Sequence, residues 1–134
     1  MTARLFTPAQ ANRTLPLVRR IVADILASGR ELRTVAAERG SDNRERLETL
    51  GNEMRGWMEE LRQIGCDYKD WSFDAGLVDF PAEIDGRPVL LCWRSDEARV
   101  EWYHDFVSGF AGRTRIPAEL LTEEAGEELG AARG

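Results

Sequence analysis

A chain of 134 residues, 43% apolar and 31% charged, is long enough for one domain with a buried core and too apolar for a disordered chain. The net charge of −6 argues against nucleic acid and anionic membranes as partners. No apolar run approaches the roughly 18 to 20 residues that span a bilayer, and the N-terminal residues lack the apolar core of a signal peptide.

Residues 1–65 carry 11 basic and 9 acidic side chains, residues 66–117 carry 6 and 10, and residues 118–134 carry 1 and 5. The first half is therefore balanced and the second acidic. Basic charge is nearly all arginine, with Lys69 the sole lysine, a bias that with abundant Ala and Gly suggests a bacterial source. Cys66 and Cys92 lack a CxxC spacing, which predicts reduced thiols and a cytoplasmic location.

In chain order, Thr7 and Pro8 have the residue types of an N-cap and first helical position. The pattern predicts a short turn to Arg13, broken at Leu15-Pro16 because the residue before proline leaves the α region. Thr14 caps a restart that carries Val18, Ile21, Ile25, Leu32 and Val35 to about Glu38, closed by Gly40. Gly29 within it marks a close approach of another helix. A second helix follows, with Leu47, Leu50, Met54, Trp57, Leu61 and Ile64 in a 4–3 repeat, ending at Gly65. The short loop between the two makes them antiparallel. Each apolar stripe is wider than one partner covers, so a homodimer with a shared bundle is expected.

Cys66 to Trp71 reads as an extended link. Leu77–Ile84 and Arg87–Arg94 then flank Asp85-Gly86, the signature of a type I′ hairpin. A two-residue turn sets the register: Ile84 opposes Arg87, Phe80 opposes Leu91, and Val78 opposes Trp93. One face is then apolar, and Asp79 lies opposite Cys92 on the other. Pro81 and Pro88 suit edge positions, since neither has an N–H. Ser95-Asp96 reads as an N-cap, with Glu97 and Glu101 early in a short third helix to about Val107. The expected fold is α+β: one domain over 1–117, with a helical hairpin at about 7–65 and a β-hairpin and short helix at about 66–117. Residues 118–134 form an acidic tail, frayed or disordered.

On such a helix Glu97, Glu101 and His104 share one face, and Glu101-x-x-His104 has the spacing that carboxylate-bridged metal bundles use. Asp79 adds an oxygen from the hairpin, with Cys92 beside it. This set points to a divalent metal ion held by Glu97, His104 and Asp79. The competing reading leaves Glu97 and Glu101 as solvated carboxylates and His104 with one hydrogen-bonded neighbour. Gly109 to Arg113 offers an amide nest with Arg113 for a small anion, and Cys92 with His104 would form a nucleophile pair only if the fold joined them. No GxGxxG, GxxxxGK[ST] or GxSxG motif is present, which leaves the standard nucleotide and serine-hydrolase templates without support.

Phe6-Thr7-Pro8, Ala11 through Val18, Gly76 through Pro81, Leu91 through Arg94, Glu97, His104 and Gly109 through Arg113 together resemble the bacterial domain-of-unknown-function 2203 family over nearly the whole chain to Pro117. The resemblance implies no activity, cofactor or substrate. It places Asp79, Glu97, His104 and Arg113 on motif positions. Asp96 stands where the pattern has glycine, and Trp102-Tyr103 reverses its aromatic pair. The leading functional expectation is a dimeric interaction or assembly module. The alternatives are a divalent-metal-binding or metal-dependent hydrolase-like protein, and a binder of a small anionic ligand at Arg113.

Overall fold

The computed structural model describes residues 4–38 and 42–121. Helix α1 runs from Pro8 to Ala37. Thr7 Oγ1 accepts from the Gln10 N–H at 3.1 Å, and Gln10 Oε1 accepts from the Thr7 N–H at 3.0 Å. This reciprocal pair satisfies two of the donors that open a helix.

The expected break at Leu15-Pro16 does not occur, and α1 continues through Pro16. An interior proline costs about 3 kcal/mol. Here Pro16 faces solvent while Ala11, Leu15, Val18 and Val22 around it are buried. Each large apolar side chain so buried contributes roughly 1.5–3 kcal/mol, so packing outweighs the local preference.

Helix α2 spans Arg44–Ile64 and closes on Gly65, whose φ of 115° is left-handed. The Asn43 amide donates to the Val35 carbonyl at 2.6 Å and ties the start of α2 to the end of α1. Arg46 pairs with Glu31 at the same end, while Leu17 and Ile21 of α1 share a groove with Glu60 and Ile64 of α2 at the other. The helices are antiparallel. The position expected to close α1, Gly40, lies outside the described residues.

Five strands follow: β1 (Asp67–Tyr68), β2 (Leu77–Ile84), β3 (Arg87–Arg94), β4 (Trp102–His104) and β5 (Thr114–Arg115). They form one antiparallel sheet in sequence order. The β2–β3 register is the one that the two-residue turn requires, from Ile84 opposite Arg87 to Leu77 opposite Arg94. Asp85 and Gly86 both have positive φ, 52° and 76°, as type I′ demands. Neither Pro81 nor Pro88 interrupts the hairpin. With Ile84 and Arg87 as the hydrogen-bonded closing pair, both prolines fall on the alternate pairs whose N–H groups point away from the partner strand. Pro81 instead presents its carbonyl outward, where the Phe6 N–H reaches it at 2.7 Å.

Val78, Phe80, Ala82, Val89, Leu91 and Trp93 form the inner face and join both helices in one core. Among the described residues, Leu17 is the one large apolar side chain left exposed on the two long helices. Of the stripes that suggested a second copy, Leu50, Met54 and Leu61 of α2 are buried within one chain, while Leu47, Trp57 and Ile64 stay half-buried. No described helix is long and apolar enough to cross a membrane.

Two boundaries move. Residues 96–107 are not helical: they form a turn and then β4. The short third helix, α3, is Ala118–Leu121, inside the segment expected to be tail, where Leu120 and Leu121 pack on the core. The rest of that tail, 122–134, lies outside the described residues.

Gly29 marks a close approach, but of a loop side chain and not of a helix. A Cβ at Gly29 would lie 2.4 Å from the Phe73 ring, and Phe73 is held at a left-handed φ of 63°. Gly29→Ala is therefore expected to destabilise by about 1–2 kcal/mol, overpacking outweighing the roughly 1 kcal/mol gained in helix propensity. Urea denaturation of G29A in the wild-type and Phe73→Ala backgrounds checks it. The penalty should vanish in the second.

Candidate metal centre

Side chains alternate along a strand, and directly opposed residues share a face. Asp79 opposes Cys92, Cys92 opposes Trp102, and Leu90 opposes His104. The outer face of the sheet therefore gathers Asp79 from β2, Cys92 from β3 and His104 from β4. The segment from Asp105 to Arg113 folds back over that face, so the three residues are only 6%, 1% and 4% exposed.

One ligand atom from each of Asp79, Cys92 and His104 lies within 4.8 Å of the other two. Asp79 Oδ1 and His104 Nε2 are 3.2 Å apart. The other ring nitrogen, Nδ1, sits 2.6 Å from the Asp105 carbonyl oxygen. A carbonyl only accepts, so Nδ1 carries a proton and Nε2 is the ring nitrogen turned toward Asp79. A carbonyl holding one imidazole nitrogen so that the other meets a cation is the usual support of a metal-bound histidine.

The electrostatics follow from burial. Desolvation pushes the Cys92 thiol up to about 12, Asp79 adding to the effect and Arg113 opposing it. Burial also raises the Asp79 carboxyl, with His104 and Lys69 pulling the other way. A divalent ion would offset that burial cost by satisfying oxygen, sulfur and nitrogen together. Tetrahedral zinc with ordinary bond lengths sets its ligand atoms about 3.4–3.6 Å apart, close to the observed oxygen–nitrogen separation. Cys66 makes the contrast. Its thiol is also pushed up to about 12 by burial, but it reaches only the Leu61 carbonyl and packs as a small apolar residue.

Of the residues singled out by sequence, Asp79 and His104 meet and Glu97 does not join them. Glu97 sits in the turn after β3, where Oε1 accepts from the Arg94 N–H at 2.8 Å and Oε2 pairs with Arg113. Glu101 pairs with Arg115 at the surface at 3.3 Å. Arg113 is flanked by the Trp102 and Phe110 rings, each 4.6 Å from its guanidinium carbon, and its Nη1 lies 4.0 Å from Cys92 Sγ. Arg113 is paired internally with Glu97, and its side chain is 9% exposed.

The third member of the cluster, Cys92, was visible as the residue opposite Asp79. What hid the set was the helical reading of 96–107, which aimed Glu97 and His104 together. A three-residue strand aims His104 across the sheet instead. The cluster forms the floor of a cleft of about 340 Å³ walled by Lys69, Leu77, Leu90, Phe106, Val107 and Phe110.

Comparison with protein families matches residues 4–116 to the family described as Uncharacterized conserved protein (DUF2203), and the chain belongs to that family. No curated protein and no solved structure matches it.

Proposed function

We propose that this member of the domain-of-unknown-function 2203 family is a divalent-metal-binding protein whose centre is Asp79, Cys92 and His104. The observation that carries the reading is the convergence of three buried ligand types, with His104 Nδ1 fixed by the Asp105 carbonyl so that Nε2 faces the other two. A mixed carboxylate, thiolate and imidazole set suits zinc best among the common divalent ions. Three protein ligands leave a fourth position toward the cleft, the arrangement of zinc sites that activate water or polarise a carbonyl. Metal-assisted hydrolysis is the reaction class that such a centre supports. An assembly role through the helical stripes is the weaker reading, because among the described residues Leu17 is the one large apolar side chain left fully exposed on those helices.

The test is elemental analysis of untagged protein after zinc loading and desalting, on the wild type, Asp79→Asn and His104→Ala. The wild type is expected to retain about one zinc per chain, the count a single three-ligand centre holds, and each variant a small fraction of it. Zinc far below one per chain in the folded wild type, or equal retention by the variants, would overturn the proposal.

A further inference from the structure

We propose that the cleft over the Asp79–Cys92–His104 centre takes a small organic monoanion with an apolar body, its charged end lying between the centre and Lys69. The inference rests on the metal reading above and adds the class of ligand.

Three observations carry it. Lys69 is the only lysine of the chain, it is exposed, and it lines the cleft with the three ligand residues. Among the described residues no ion pair engages its ammonium, whereas the nearest guanidinium, Arg113, is taken by Glu97 and enclosed by two rings. Among the described residues that line the cleft, Lys69 is the one cation.

The second observation is charge balance. A divalent ion held by one carboxylate, one thiolate and a neutral imidazole has no net charge. One added negative charge at the open position is then matched by Lys69. A dianion such as phosphate is left in excess in a site with few polar walls, and burying unmatched charge is costly.

The third observation is the wall opposite. Phe106 is 65% exposed, Val107 94% and Phe110 40%, and all three line the cleft with Leu77 and Leu90. Their turn is not loose apolar chain. The Asp105 carboxylate accepts from the Val107 and Ser108 N–H groups at 2.9 and 2.7 Å and from the Ser108 hydroxyl at 2.8 Å. These bonds hold the apolar side chains at the mouth, where an aliphatic or aromatic body would remove them from water. A volume of about 340 Å³ stands at the small end of ligand pockets, which run from roughly 300 to 1,000 Å³. This favours a short-chain carboxylate over an extended ligand.

Isothermal titration of hexanoate, 1-hexanol and inorganic phosphate into zinc-loaded protein tests this, with zinc measured in the same samples. Hexanoate is expected to bind saturably and both others to bind at least about tenfold more weakly, a difference of roughly one hydrogen-bonded charge. Lys69→Met is expected to weaken hexanoate by about tenfold or more while keeping its zinc, and Val107→Ser to weaken it with Lys69 intact. Zinc-loaded protein that ignores hexanoate, prefers phosphate, or binds hexanoate equally well after Lys69→Met would overturn the inference and leave the metal reading standing. A wild type that holds no zinc would overturn the metal reading itself, and this inference with it.

Discussion

Cys92→Ser is expected to lower zinc affinity by several hundredfold while leaving the fold intact. Structural zinc sites with four protein ligands bind with roughly 10–16 kcal/mol, or about 2.5–4 kcal/mol per ligand, and each 1.4 kcal/mol is a factor of ten. Serine is nearly isosteric with cysteine, so packing in the sheet is kept. What goes is the soft thiolate, since a hydroxyl gives up its proton to the metal far less readily. Competition against a chromophoric chelator gives the number, and urea denaturation of the metal-free protein checks the fold. The same substitution at Cys66 is the control. That thiol is equally buried but belongs to no group of three metal-ligating side chains among the described residues, so Cys66→Ser should leave zinc affinity within about threefold, the scatter expected when no ligand is lost. Equal losses at both cysteines would mean that the effect is one of stability and not of coordination.

The second large effect is on stability. Arg113→Ala is expected to cost about 2–4 kcal/mol, near the lower part of the range for removing one partner of a buried ion pair. The Arg113 side chain is 9% exposed and that of Glu97 22%, so the abandoned carboxylate regains some water and the full penalty does not apply. Arginine also supplies contacts that lysine cannot, lying between Trp102 and Phe110. Arg113→Lys should therefore recover only part of the loss, and Glu97→Gln should cost less than Arg113→Ala. Because Arg113 closes the segment that covers the triad, R113A is also expected to release zinc faster. Urea midpoints for the three variants provide the check, and a cost below about 0.5 kcal/mol for R113A, the scale of an ordinary surface substitution, would show that the pair is not structural.

Much of the fold was legible because it is locally encoded. Thr7-Pro8 caps α1, Gly65 ends α2 in a left-handed conformation, and Asp85-Gly86 sets a register in which every opposed pair follows. Those signals work within a few residues. The region from Ser95 to His104 was misread because its residue types imitate a helix start while its backbone groups are held by side chains, those of α1 far away in sequence. The Glu97 carbonyl accepts from Trp93 Nε1 at 3.0 Å and the Ala98 carbonyl from Arg19 at 3.0 Å. Val100 gives its N–H to Asn12 Oδ1 at 2.7 Å and accepts from Asn12 Nδ2 at 3.1 Å. Side chains from α1 and β3 thus occupy backbone groups that a helix would have used. No periodicity in ten residues announces a partner 88 positions away. Pro16 fails as a stop signal for a related reason, since burial on the opposite side of α1 outweighs a local rule.

The candidate site was half legible. Asp79 opposite Cys92 follows from the hairpin turn alone, but the arrival of His104 depends on β4 pairing with β3, and three residues are too few for alternation to be read. Once β4 is a strand, Trp102 and His104 face outward together and Tyr103 inward, and the histidine meets the carboxylate through sheet geometry.

Cobalt(II) titration of the metal-free wild type, followed by electronic absorption, tests the central claim most directly. A cobalt ion bound by Asp79, Cys92 and His104 at a four-coordinate site is expected to give a thiolate charge-transfer band in the near ultraviolet with intense visible d–d bands. Both should saturate at about one equivalent and be reversed by zinc, as a single such centre requires. The charge-transfer band should disappear in Cys92→Ser and persist in Cys66→Ser. A weak octahedral spectrum without charge transfer, or one indifferent to Cys92, would contradict the account.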